Sequence, residues 1–102
     1  MDAFGKKQPW DEYFVAFDFT NLLNTGDTIH TATISAINIS TGADATSTVT
    51  TVANQSIVSP KVFVWVKGGV TATNYKITCK IVTHATPPEQ YELDAKLPVV
   101  EF

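Results

Sequence analysis

Tyr75-Lys76-Ile77-Thr78-Cys79-Lys80-Ile81-Val82-Thr83 decides the fold. Tyr75, Ile77, Cys79 and Ile81 fall on one side of an extended chain, and Lys76, Thr78, Lys80 and Val82 on the other. A period of two is the mark of a strand with one face in a core. Downstream, Gln90 to Leu97 repeats it, with Tyr91, Leu93, Ala95 and Leu97 alternating against Glu92, Asp94 and Lys96. His84-Ala85-Thr86-Pro87-Pro88-Glu89 joins the two, as in an antiparallel pair solvated on one face. Upstream, Val62 to Lys67 is a third strand, closed by the turn Gly68-Gly69.

Working back, Tyr13 to Phe19 puts Tyr13, Val15, Phe17 and Phe19 on one face, with Phe14, Ala16 and Asp18 on the other. Leu22 and Leu23 predict a helical turn capping one end, and Asn24 to Asp27 a turn. From Thr28 to Ile37 the apolar side changes between Ile29 and Ile34, which predicts a bulge or twist. Ser40 to Asp44 reads as a loop, Ser47 to Val52 as a threonine-rich strand and Gln55 to Ser59 as a short one. Pro60 ends that stretch or sits at an edge. Residues 1–11 show no period and read as an extended arm, with 12–102 as a single domain. The predicted core includes Phe17, Ile34, Val64, Tyr75, Ile77 and Leu93.

Composition agrees. The 102 residues include 15 threonines, 11 valines and 7 isoleucines against 4 leucines. β-branched side chains are stiff at χ1 and fit a pleated surface better than a helix. Six or seven short strands punctuated by turns indicate a sandwich or barrel. The length fits one domain.

Charge and motif content narrow the function. A net charge of -3 and a pI of about 5.1 disfavour nucleic acid. Lys6-Lys7 is too little for a polybasic membrane signal, and no apolar run approaches the ~18 residues of a membrane span. The first residues lack the pattern of an export signal, and the single cysteine, Cys79, fits a reducing compartment. Cys79 alternates with isoleucines and reads as an inert buried thiol. His30 and His84 belong to no spaced ligand set. Asp18, Asp27, Asp44 and Asp94 are scattered, outside any calcium loop. Nucleophile elbows and phosphate or dinucleotide loops are absent. The expectation is therefore a protein that is not an enzyme and has no catalytic residue, metal site or cofactor.

One feature breaks the one-sided pattern. In Val62-Phe63-Val64-Trp65-Val66 the valines share one face, and Phe63 and Trp65 the other, so both faces are apolar. Exposed aromatic clusters mark interfaces. Phe63 and Trp65, with Trp10 and Phe4 of the arm, are the candidate partner-binding residues. The arm would either cover Phe63 and Trp65 or leave them to a neighbouring subunit. Aromatics such as Trp65, Trp10 or Tyr91 would also suit a carbohydrate-binding or adhesin-like surface module, the alternative reading.

Most of the chain resembles a family of small structural proteins of tailed bacteriophages and prophages, described as fibre–tail adaptors. The resemblance rests on Asp18-Phe19-Thr20, Leu23 and Gly26-Asp27-Thr28-Ile29, then Gly42-Ala43-Asp44-Ala45 and Gly68-Gly69. It continues through Asn74-Tyr75-Lys76-Ile77 and Thr83 to Glu92-Leu93-Asp94-Ala95-Lys96-Leu97-Pro98-Val99. The resemblance implies an all-β, immunoglobulin-like or fibronectin-III-like antiparallel sandwich of about seven strands. It implies a structural or adaptor component of the virion, made in the bacterial cytoplasm. Its partners would be other virion or tail proteins or further copies of itself, with no nucleic acid or membrane. Tyr75 would then resemble the tyrosine corner of such sandwiches, anchoring the crossing between sheets.

Overall fold

The structure, a computed structural model, describes residues 2–101. Seven strands and one helical turn follow in the order β1 (Asp2–Ala3), β2 (Tyr13–Asp18), β3 (Ile29–Asn38), α1 (Thr46–Val49), β4 (Thr50–Val58), β5 (Lys61–Val66), β6 (Thr73–Thr83) and β7 (Gln90–Val99). They form two sheets, β1-β7-β6-β3 and β2-β5-β4. Every pairing is antiparallel except β1 with β7. The protein is an all-β sandwich.

The alternation of β6 sets the first sheet. Ile34, Cys79 and Leu93 lie side by side across β3, β6 and β7, as do Ala36, Ile77 and Ala95 in the neighbouring row. From the second sheet, Phe17, Val62, Val64 and Val66 face them, all buried. Full burial of each such aliphatic chain contributes about 1.5–3 kcal/mol, which makes the face assignment the main source of stability. Of the six predicted core residues, five are buried and Leu93 packs against the core partly exposed. The expected irregularity in β3 is present as a register shift between Ile29 and Thr31, which lets both Ile29 and Ile34 turn inward.

Tyr75 stands where the chain passes from the second sheet to the first. Its ring is buried, and its hydroxyl accepts the Val70 N–H at 3.0 Å. Gly69 makes room for it. The φ there is +93°, and an added Cβ would lie 2.9 Å from Val99 Cγ2 and 3.3 Å from the Tyr75 ring. Only glycine fits both the conformation and the space.

The segment read as a strand from Ser47 differs. Thr46–Val49 is a helical turn, and one nine-residue strand replaces the two short ones. Local side-chain bonds decide this. The Asp44 carboxylate accepts the Thr46 hydroxyl at 2.7 Å, while Thr46 Oγ1 accepts the Ala36 N–H at 3.0 Å. The turn then drops Val49 fully into the core. β4 regains its register on β5 only after an irregularity between Thr51 and Ser56. At the other end, the amides of Leu22 and Leu23 both donate to the Phe19 carbonyl, giving the expected turn.

Candidate functional site

Because β5 turns its three valines inward, Phe63 and Trp65 stand on the outer face of the second sheet. Register places Phe14 of β2 and Thr51 of β4 beside Trp65, with Ala16 and Ser56 beside Phe63. The Phe14 ring packs edge-on against Trp65 at 4.9 Å between centroids, and against Phe63 at 6.5 Å. Edge-to-face pairs of this kind contribute about 0.5–1.5 kcal/mol beyond their area. Trp65 Nε1–H donates to Glu12 Oε1 at 3.1 Å, which fixes the indole. Phe63 and Trp65 are half-buried and Phe14 is 50% exposed. The result is a rigid aromatic patch open to solvent. The same alternation that exposes Phe63 exposes Phe14, and only the β2–β5 register joins them.

The two arm aromatics lie elsewhere. Phe4 packs edge-on against Phe17 at 5.4 Å, on the core side. Trp10 is 92% exposed, on a turn closed by the Asp11 N–H donating to the Gln8 carbonyl and the Gln8 N–H donating to Asp11 Oδ2. The four candidates thus divide: Phe63 and Trp65 meet, Phe4 joins its own domain, and Trp10 stands apart.

The arm itself runs along the first sheet. Asp2 and Ala3 pair with Ala95 and Lys96, the Lys7 N–H donates to the Pro98 carbonyl, and the Val100 N–H donates to the Lys7 carbonyl. Lys7 is fully buried, with its ammonium donating to the carbonyls of Gln8 at 2.7 Å and Gly68 at 2.6 Å. Burial lowers its pKa from the ordinary value, and the carboxylates of Asp11 and Glu12 oppose that shift. No sequence signal marks a buried lysine here; it follows from the docking of the arm.

The chemically competent residues are each engaged locally. His30 and His84, 54 positions apart, come together with Nδ1 of the first 2.8 Å from Nε2 of the second, and His84 Nδ1 lies 2.8 Å from Thr28 Oγ1. The pairing of Ile29 with Thr83 brings them there. Among the described residues, no group of three or more histidine, cysteine or carboxylate side chains converges. Cys79 is buried, and desolvation pushes its thiol up to about 12, which keeps it protonated at neutral pH. Asp18 and Asp44 have lowered pKa values because the hydroxyls, and then the amides, of Thr20 and Thr46 bond their carboxylates. Asp94 accepts the Thr78 hydroxyl at 2.7 Å.

By class this is a small β-sandwich with an aromatic patch on the outer face of its second sheet. Residues 7–94 match the family model of the podophage GP4 fiber-tail adaptor protein gp77, and the chain belongs to that family. The resemblance drawn from Asp18 to Val99 points the same way. No curated protein and no solved structure matches the chain.

Proposed function

We propose that this chain is a non-enzymatic adaptor that joins components of a podophage tail by protein–protein contact. The outer face of the second sheet is its contact surface, and Trp10 supplies a separate anchor. The family match supports the adaptor role, and the open patch of Phe14, Phe63 and Trp65 carries the assignment of the surface. Aromatic residues dominate interface energetics because each removes about 150–250 Å² from water with few rotatable bonds. The protein is a virion component, synthesised in the host cytoplasm, and its partners are other tail proteins.

The scaffold is an immunoglobulin-like sandwich comprising residues 12–102, with 1–11 an arm fixed along its edge. Lettered A to G in chain order, the strands pair as B-E-D and A-G-F-C. That is the constant-type pairing with the first strand moved to the opposite sheet. Tyr75 then opens strand F, the place of the tyrosine corner.

Reconstituting fibre attachment on tails assembled with Trp65→Ser or Trp10→Ser protein tests the assignment. The expected result is loss of attachment with the circular dichroism spectrum retained. Wild-type attachment by both variants would overturn the contact surface. A glycan array with hits abolished by Trp65→Ser would favour a carbohydrate-binding module instead.

A further inference from the structure

The two sheets treat their edges differently. On the first sheet, β7 is covered by β1 and by Lys7. The far side of β3 is covered too: Ala36 N–H donates to Thr46 Oγ1, the Ala45 and Asn38 amides bond the carbonyls of Ala36 and Ala43, and the Gln55 amide reaches the Ala32 carbonyl. On the second sheet, β4 is interrupted between Thr51 and Ser56, an irregularity of the kind that blunts an edge. Among the described residues, none covers β2 in this way. Its six residues pair with β5 without a break.

The register shows which groups of β2 are free. Phe19 continues the β2–β5 alignment opposite Pro60, and its N–H donates to the Pro60 carbonyl at 2.9 Å. Hydrogen-bonded pairs recur at every second residue of an antiparallel ladder. Phe17, Val15 and Tyr13 therefore bond β5, and the N–H and C=O groups of Phe14, Ala16 and Asp18 point away from it. A cleft of about 230 Å³ opens alongside, lined by the apolar residues Ala3, Phe4, Phe17 and Leu93 and by the acidic residues Asp18 and Asp94.

We infer that the free edge of β2 accepts an extended segment of another tail protein as an added strand. The inference rests on the adaptor reading and names how that partner is held. Main-chain bonds to Phe14, Ala16 and Asp18 give affinity, and alternate side chains give specificity. Inward side chains of the added strand enter the cleft, and those that meet Phe4, Phe17 and Leu93 are apolar. Outward ones extend the aromatic face beside Phe14. Asp11 and Glu12 precede the edge and Asp18 closes it, with no base on β2 itself; Lys7 and Lys61 offset part of that charge, and Asp94 adds to it along the cleft, so the segment carries lysine or arginine at its ends. A second copy fits poorly. Two-fold antiparallel pairing of β2 with itself about Val15, which leaves its free groups facing one another, sets Glu12 of one copy against Asp18 of the other, and like charges in opposition destabilise a sheet.

The test uses the full chain, amide NMR and two seven-residue peptides of alternating valine and threonine, one ended by lysines and one by glutamates. The lysine-ended peptide is expected to shift and protect the amides of Phe14, Ala16 and Asp18, and to bind at least tenfold more tightly than the other at low salt. Ala16→Pro removes an edge-facing donor while sparing the bonds to β5, a position where an edge strand tolerates proline. It should fold and lose peptide binding, while Ala16→Thr keeps it. Absence of binding, equal binding by Ala16→Pro, or shifts confined to β4 would overturn the inference. Concentration-dependent changes at β2 without peptide, with a dimer in sedimentation, would overturn it in favour of a second copy. If Ala16→Pro binds peptide normally while Trp65→Ser still loses fibres, the edge fails and the adaptor reading stands.

Discussion

The two sheets of the sandwich turn similarly apolar faces inward, yet they differ in what they show to solvent. On the first sheet the central outward rows are polar and paired, Lys80 with Glu92 at 3.8 Å and the Thr78 hydroxyl with Asp94 at 2.7 Å, and no aromatic ring stands among them. On the second sheet the corresponding rows are Phe14–Trp65–Thr51 and Ala16–Phe63–Ser56. A face that only meets water has no need of three clustered rings. On the proposed reading, the contrast separates residues that hold the fold from residues that serve a neighbour, and substitutions should respect it.

The largest effects on stability belong to the shared interior. Ile77→Ala should cost about 2–5 kcal/mol in denaturant unfolding, since a fully buried isoleucine leaves a cavity. A loss of a few tenths would mean the faces are reversed. Gly69→Ala combines positive φ with a 2.9 Å approach to Val99 and should cost about 1–3 kcal/mol. Tyr75→Phe should cost about 0.5–1.5 kcal/mol by removing the hydrogen bond from the Val70 amide, which sits on an exposed residue. Lys80→Ala, on the polar face, should change stability by no more than about 1 kcal/mol, as both partners of its ion pair are exposed.

Lys7 gives a pH-dependent prediction. Its folded pKa lies below the ordinary 10.5, so between the two values the unfolded chain binds more protons than the folded one. Stability contributed at this position therefore rises with pH through that window. Wild type should gain on Lys7→Met as pH climbs toward 10.5, measured by denaturant unfolding at each pH. A wild-type-minus-variant stability difference that falls or stays constant as pH rises would contradict the lowered pKa of the buried ammonium.

Much of this was legible in the sequence where alternation is strong. β6, β7 and β5 declare their faces through Tyr75 to Ile81, Tyr91 to Leu97 and Val62 to Val66, and the outward placement of Phe63 and Trp65 follows, though not whether the arm covers them. Thr46 to Val58 did not read correctly because threonine, serine, alanine and asparagine there show no period; the bonds among Asp44, Thr46 and Ala36 choose the turn. Contacts fixed by register were also out of reach. Phe14 joins Trp65, and His30 joins His84, only once β2–β5 and β3–β6 are aligned. The arm gave no sign of its strand along β7, since two paired residues are too few for a pattern.

The most direct test of the central claim sets the two faces against each other. Fibre attachment to reconstituted tails should be measured with Trp65→Ser and Lys80→Ser proteins, each first shown to be folded. Truncating an interface anchor costs 2 kcal/mol or more, a loss of about 30-fold. The account predicts that loss for Trp65→Ser and wild-type attachment for Lys80→Ser. Equal attachment by the two, or a loss confined to Lys80→Ser, would contradict it.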